Sequence, residues 1–137
     1  MVTIRSKYEG NLRCNAAHGP SDETLATDAP KDNEGLGASF SPTDLVATAL
    51  QTCALTTMAI IAKRAGLVID LTGMDATIEK HMASEPRRIS ALPMTIRMVA
   101  GLDAEARALL EDAALNCPVA KSIHGAIEAT IEFVYPD

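Results

Sequence analysis

An uncharged run of 18 residues, Leu45 to Ala62, constrains the fold of this chain more than any other feature. Its length meets the lower limit for a helix that crosses a bilayer. However, the run contains four threonines and one glutamine, and it is rich in alanine and poor in leucine. This composition favours the central helix of a soluble core over a membrane span.

The residues that flank this run predict where the helix begins and ends. Ser41 is a candidate N-cap, Pro42 would take the first helical position, and Asp44 lies three residues after Ser41. The sequence Lys63-Arg64-Ala65-Gly66 places basic residues near the negative helix end and a glycine just past it. Because the segment is apolar nearly all round, we expect it to be buried on most sides.

Apolar and polar residues alternate over much of the remaining chain, as they do in half-buried strands. This order of elements predicts an α+β fold with an antiparallel sheet, formed by a single domain over residues 1–137. The predicted strands lie at residues 2–8, 12–15, 24–27, 74–82, 89–99 and 127–135, and the predicted further helices lie at residues 104–115 and after Cys117.

The composition restricts the classes of function. A formal net charge of −6 and four aromatic residues provide neither the positive surface nor the stacking platform of a nucleic-acid-binding protein. The N-terminal segment lacks the apolar stretch of a signal peptide, and three cysteines do not make a secreted disulfide scaffold. We therefore expect a cytoplasmic protein with no nucleic-acid or membrane partner, whose thiols stay reduced unless chemistry oxidises them.

Two helices are predicted to begin with the same pattern, Ser41-Pro42 and Cys117-Pro118. If the parallel holds, Cys117 occupies an N-cap, and its sulfur faces the free N–H groups of the first helical turn. The positive helix end and those donors would favour a thiolate. The alternative is that a small residue simply fits this position and that the thiol is inert.

Cys53 lies inside the uncharged helix, where core packing is the usual role of a free cysteine. Burial there disfavours a thiolate unless a cation reaches the sulfur, so a reactive Cys53 needs an arginine. Arg13 is the preferred candidate, because it follows a turn from which a side chain can fold over a helix. Cys14 is expected to point to the opposite face and to pack. The other candidate cations are Arg64, Arg87, Arg88 and Arg97.

Other kinds of site find little support in the sequence. The cysteines and histidines show neither Cys-x-x-Cys nor His-x-x-x-His spacing, so no metal site is predicted. A glycine-rich phosphate loop and a Gly-x-Ser-x-Gly elbow are also absent.

Three segments of the chain form a distinctive combination. They are Thr27-Asp28-Ala29-Pro30, then Ser41-Pro42-Thr43-Asp44-Leu45 leading by Ala49-Leu50 to Cys53, and finally Asn116-Cys117-Pro118-Val119. Together they resemble the OsmC/Ohr superfamily of thiol-dependent peroxidases, and more closely its OsmC-like branches than its organic hydroperoxide resistance branch. The resemblance spans nearly the whole chain, and the 64 positions from Cys53 to Cys117 are a separation of the family's order.

The resemblance implies an OsmC-like intertwined homodimer, with an antiparallel sheet packed around a long buried central helix and a reactive site at the interface. It implies that Cys53 is the peroxidatic cysteine, that Cys117 is the resolving cysteine, and that Arg13 matches the activating arginine. No metal or organic cofactor is implied. One position departs from the family, whose members place a glutamate ten residues before the first cysteine to hold that arginine. This chain has Thr43 there.

The sequence thus predicts a thiol-dependent hydroperoxide reductase that detoxifies organic hydroperoxides in an oxidative stress response. Its partners would be a second copy of the chain, a small organic hydroperoxide and an external dithiol reductant. The alternative, which Thr43 favours, is a non-catalytic, stress-related dimer that binds a small ligand. A third interpretation is an α+β dimer with buried, inert cysteines.

Overall fold

The computed structural model describes residues 1–137, the whole of the chain. The chain forms two compact units, residues 1–46 and residues 47–137. Each unit contains a β-sheet, and a long helix, α1 (Pro42–Arg64), begins in the first unit and continues in the second. The single domain over residues 1–137 stays a prediction.

The first unit contains a three-stranded antiparallel meander of β1 (Ile4–Gly10), β2 (Arg13–His18) and β3 (Thr24–Asp28). A tight turn with positive φ angles at residues 10–12 joins β1 to β2. The predicted front strands are confirmed, and β2 extends three residues beyond its predicted end. A short 3-10 helix at Lys31–Asn33 follows β3.

The start of α1 is fixed by its own side chains. The Ser41 N–H donates to Asp44 Oδ2 at 2.9 Å, and the Asp44 N–H donates to Ser41 Oγ at 3.0 Å. This reciprocal pair satisfies two of the free N–H groups at the helix start. At the other end Lys63 and Arg64 occupy the last turn, and Gly66 adopts a φ of +71°. Both predicted boundaries are confirmed.

Within the single chain, α1 buries one stripe of its surface. The helix could cross a membrane by length and composition alone, a test that the core helices of soluble proteins also pass. Thr52, Thr56 and Ile60 are exposed, so the expectation of burial on most sides is not met in one chain. The buried residues recur every three or four positions and are Ala47, Leu50, Ala54, Met58 and Ala62.

A four-stranded sheet in the second unit consists of β4 (Asp75–Ile78), β5 (His81–Ala83), β6 (Arg88–Arg97) and β7 (Glu128–Val134). Strands β4 and β5 pair antiparallel with the two halves of β6, and β7 pairs with β6 in parallel. The prediction of one strand over residues 74–82 is wrong, because this segment divides into β4 and β5.

The parallel pair of β6 and β7 is a departure from a wholly antiparallel sheet. Parallel strands need a long crossover connection, and here the chain passes through α2 (Ala104–Leu115) and α3 (Pro118–Ile123). Both helices begin as predicted, since Asp103 accepts a hydrogen bond from the Ala106 N–H at 2.8 Å and Cys117 is the N-cap of α3. The fold is α+β, with antiparallel strand pairs and a long helix.

The core of the second unit is aliphatic. One face of β6 buries Leu92, Met94 and Ile96 at alternate positions, which confirms the alternation predicted for this strand. Leu110 on α2 and Leu50 on α1 are also almost fully buried. Burying a side chain of this size stabilises a fold by about 1.5–3 kcal/mol. These residues form the rigid frame that holds the two cysteines of this unit.

Candidate functional site

Cys53 lies in the middle of α1 and is partly exposed. Its Sγ atom is 3.8 Å from Oγ1 of Thr57, which lies one helical turn further along. A sulfur atom accepts longer hydrogen bonds than oxygen does, and this contact falls within that range. Cys53 is therefore neither sealed in the core nor fully exposed within one chain, and its sulfur has a hydroxyl group beside it.

Cys117 lies at the junction between α2 and α3 and is fully buried. The Cys117 N–H donates to the Ala114 carbonyl at 3.4 Å, and the Cys117 carbonyl accepts from the Lys121 N–H at 3.0 Å. Pro118 occupies the first position of α3. An N–H group at this position has no acceptor within the helix, so proline, which lacks an N–H, is tolerated there. The junction thus fixes the Cys117 backbone on both sides.

The structure brings Cys53 and Cys117 together, although 64 positions separate them in the sequence. Cys53 lies near enough to raise the pKa of the Cys117 thiol, and both cysteines are free thiols. Cys53 is partly exposed and Cys117 is buried. In such an arrangement a small molecule can approach one residue of the pair while the second thiol lies close to it.

Burial raises the pKa of the Cys117 thiol above its ordinary value of 9.0, and the neighbouring Cys53 raises it further. The N–H groups of Ala120 and Val119 lower the pKa, although neither makes a fully formed capping hydrogen bond to the sulfur. The expectation that the helix N-terminus makes Cys117 a thiolate is therefore wrong. Loss of hydration at a fully buried sulfur outweighs the attraction of the helix end.

Arg13 lies in the first unit, on β2, directly across from Asp28 on β3. Its Nε atom is 3.7 Å from Asp28 Oδ1, an oxygen that has no hydrogen-bond partner, while Asp28 Oδ2 accepts from the Ala38 N–H at 3.0 Å. The Asp28 side chain is 2% exposed and that of Arg13 is 43% exposed. A buried carboxylate with one unsatisfied oxygen attracts and orients the guanidinium next to it.

Sequence reasoning did not single out Asp28 as a site residue. The segment Thr27-Asp28-Ala29-Pro30 was noted, but the partnership with Arg13 depends on strand register, which the sequence does not display. The family's glutamate position holds Thr43, whose hydroxyl lies 3.1 Å from Ser41 Oγ in the first turn of α1. The carboxylate that accompanies Arg13 thus comes from the sheet.

Two of the other candidate arginines have partners of their own. Arg97 forms an ion pair with Asp75 at 2.8 Å, and Arg88 donates to the Ala126 carbonyl at 3.3 Å. Cys14 lies on β2 between Tyr8 and Thr27 of the neighbouring strands. No group of three His, Cys, Asp or Glu side chains is placed so that it could hold a metal ion.

Comparisons with known proteins place the chain in a family. The family model described as OsmC-like protein matches residues 34–132, which is most of the chain. No curated protein sequence matches it. One solved structure comes from Psychrobacter arcticus 273-4 and is 42% identical in sequence to this chain. That protein is provisionally assigned as an osmotic stress induced and detoxification response protein. The match covers 97% of this chain and 96% of that chain, with a TM-score of 0.89.

More distant structures share the fold. An organic hydroperoxide resistance protein OsmC from Legionella pneumophila is 20% identical, with 98% and 96% of the two chains covered and a TM-score of 0.74. The organic hydroperoxide resistance protein OhrB of Bacillus subtilis is 17% identical, with 97% of each chain covered and a TM-score of 0.69. The family match and the structure from Psychrobacter agree, and the chain belongs to the OsmC family.

Proposed function

We propose that this protein is a thiol-dependent hydroperoxide reductase that works as a homodimer. Membership of the OsmC family supports a stress-related redox role. The observation that carries the finer proposal is the proximity of Cys53 and Cys117, two free thiols that are remote in sequence. Two of the structural relatives are named for resistance to organic hydroperoxides, which agrees with the proposed substrate class.

The proposed reaction begins at Cys53. Its thiolate attacks one oxygen of the hydroperoxide, the O–O bond breaks, and the leaving alkoxide takes up a proton to become an alcohol. The sulfur is oxidised to a sulfenic acid while the hydroperoxide is reduced. The Cys117 thiol then condenses with the sulfenic acid, which forms a disulfide and releases water. An external dithiol reduces this disulfide by thiol–disulfide exchange and is itself oxidised.

The different exposures of the two sulfurs support this assignment of roles. Cys53 is partly exposed, so a peroxide can approach it, whereas Cys117 is fully buried. A buried thiol with a raised pKa is a poor first nucleophile, and it suits a partner that reacts only after Cys53 has been oxidised. Leu50, one turn before Cys53, and other apolar neighbours favour organic hydroperoxides over hydrogen peroxide.

Arg13 is the cation proposed to stabilise the Cys53 thiolate and the alkoxide that leaves. This role rests on the resemblance to the family, and the pairing of Arg13 with the buried Asp28 supports it. Loss of one such stabilising group slows an enzyme by about 100-fold or more. Arg13→Gln is therefore expected to slow the reaction of Cys53 with hydroperoxide and to leave the disulfide-forming step intact.

The homodimer is supported by apolar surface that a single chain leaves exposed. Ile60 on α1 is 43% exposed, and Ile4 and Tyr8 on β1 are 64% and 63% exposed. Ile4 and Tyr8 alternate onto one face of β1, and burial of such an exposed apolar face against a second copy of the chain would be favourable. A homodimer in the cytoplasm, where an external dithiol keeps the cysteines reduced, is the proposed working form. Light scattering of the purified protein measures the mass directly.

The reductase proposal is tested by adding one equivalent of cumene hydroperoxide to the reduced protein. The wild-type chain should lose two thiols and gain a Cys53–Cys117 disulfide, identified by mass spectrometry of its peptides. Cys117→Ser should stop at a sulfenic acid, Cys53→Ser should not react, and the control Cys14→Ser should behave as wild type. Unchanged thiols in the wild-type protein after a stoichiometric dose would refute the proposal.

The second candidate is a stress-related dimer that binds a small ligand without turnover. Thr43 favours it, because a hydroxyl group replaces the carboxylate that family members carry at this position. Cys53→Ser separates the two candidates. A reductase loses all hydroperoxide turnover in this variant, whereas a binding protein keeps both its ligand affinity and its dimeric state.

A further inference from the structure

Two threonines on α1 use their hydroxyl groups differently. Thr52 Oγ1 donates to the Thr48 carbonyl at 2.7 Å, one turn earlier, which is the usual bond of a threonine inside a helix. Thr57 Oγ1 lies 3.8 Å from the Cys53 sulfur, also one turn earlier. The Thr57 hydroxyl is thus directed at a side chain that could carry a charge, and not at the helix backbone alone.

The surroundings of the Cys53 sulfur make this hydroxyl important. No residue from Leu45 to Ala62 is charged, so α1 itself supplies no cation within that run. The titratable side chain near Cys53 at the α2–α3 junction is that of Cys117, and burial raises the pKa of its thiol. A hydroxyl group can donate to a thiolate and can accept from a thiol, so Thr57 fits both protonation states of the sulfur.

We propose that Thr57 is a catalytic residue of this site, whose hydroxyl donates a hydrogen bond to the Cys53 thiolate and holds the sulfur for attack on the hydroperoxide. The inference rests on the proposed reductase function. The Cys117 thiol lies near the same residue, and Thr57 Oγ1 is the hydroxyl that lies 3.8 Å from the Cys53 sulfur. Arg13, the proposed cation, is unchanged in every variant below.

Removal of this donor has opposite effects at low and high pH. A hydrogen bond to a charged group is worth roughly one pH unit or more in the ionisation of that group. Without it, the thiolate fraction below the ionisation midpoint falls about tenfold, while each remaining thiolate becomes about threefold more nucleophilic. The variant should therefore react about threefold more slowly below the ionisation midpoint and about threefold faster well above it.

The test is the pH dependence of Cys53 alkylation by iodoacetamide, followed by mass spectrometry of the Cys53 peptide in the full-length reduced protein. In Thr57→Val, which keeps the shape of the side chain, the midpoint should rise by about one pH unit, and the two rate profiles should cross. Thr57→Ser, which keeps the hydroxyl, should restore the wild-type profile. Thr56→Val is the matched control, because Thr56 is exposed on the same helix.

Two results would overturn the inference. An unchanged profile in Thr57→Val would show that the hydroxyl does not act on the thiolate. An equal shift in Thr57→Val and Thr57→Ser would show that packing, and not hydrogen bonding, is responsible. Thr57→Ala provides a second hydroxyl-free variant if Thr57→Val does not fold. Alkylation does not require hydroperoxide turnover, so failure of the reductase proposal and failure of this inference give separate results.

Discussion

Oxidation of the Cys53–Cys117 pair should stabilise the fold against urea. A bond between these residues closes a loop of 64 positions in the unfolded chain. The chain-entropy relation for such a loop gives about −14 cal/mol/K, or about 4 kcal/mol at 25 °C. Because Cys53 and Cys117 lie near each other in the reduced protein, we expect the bond to require little movement of the native backbone. Measured disulfides often give less than the relation predicts, so we expect a gain of about 2–4 kcal/mol.

The assay compares urea unfolding of the reduced protein and of the protein oxidised with one equivalent of cumene hydroperoxide. The protomer concentration must be the same, because dimer formation makes stability depend on it. With a urea slope of about 2 kcal/mol/M, the midpoint should rise by about 1–2 M on oxidation. Cys14→Ser should show the same rise and Cys117→Ser none. An oxidised wild-type protein with two lost thiols and an unchanged or lower midpoint would refute the reasoning, since the bond would then form only by distorting the fold.

Two further predictions concern Cys117 and Asp28. Because the folded-state pKa of Cys117 is raised above 9.0, its contribution to stability is complete below pH 9 and is lost as the pH rises through the folded value. Unfolding free energies measured between about pH 8 and about pH 10.5 should therefore fall more steeply in the wild-type protein than in Cys117→Ser, and equal slopes would contradict this. Asp28→Ala leaves the Ala38 N–H without its acceptor and should lower the unfolding free energy by about 1–3 kcal/mol in urea. Asp32→Ala, which removes an exposed carboxylate of the neighbouring 3-10 helix, is the control. An equal loss of unfolding free energy in that variant would contradict the role assigned to Asp28.

The helix starts could be predicted because they depend on residues a few positions apart. Ser41 and Asp44 exchange hydrogen bonds across three residues, and Asp103 caps α2 over the same distance. Cys117 and Pro118 likewise set the start of α3 with adjacent residues. Helix caps thus depend on residues that are close together in the sequence, so a single sequence is enough to locate them.

The division of residues 74–82 into β4 and β5 could not be predicted from alternation, because its cause lies on another strand. β4 pairs with Met94–Arg97 and β5 pairs with Arg88–Ala91, so the break lies opposite Pro93. The Pro93 carbonyl accepts from the Glu79 N–H at 3.0 Å, but proline has no N–H to continue the ladder on that edge. A proline inside a predicted strand is the feature that could have indicated this interruption.

The pairing of Arg13 with Asp28 is non-local in the same sense. Its geometry depends on the register of β2 against β3, in which these two residues stand opposite each other. A shift of one residue would place Asp28 on the other face of the sheet. The family pattern directed attention to position 43, ten residues before Cys53, where a threonine cannot hold a guanidinium as a carboxylate does. The structure shows a carboxylate partner that a search along the helix alone could not find.

The pKa of Cys117 illustrates how a local effect and a non-local effect compete. The N–H groups of α3 act through adjacent residues and lower the pKa, whereas burial and the contact with Cys53 depend on the fold and raise it. In the proposed cycle this balance changes with the state of Cys53. While Cys53 is a thiolate, its charge keeps Cys117 protonated, because two thiolates in contact repel each other. Conversion of Cys53 to a neutral sulfenic acid removes that charge, so the pKa of Cys117 falls toward the value set by burial and by the N–H groups of Val119 and Ala120 alone, which makes its thiolate easier to form at the step in which it attacks.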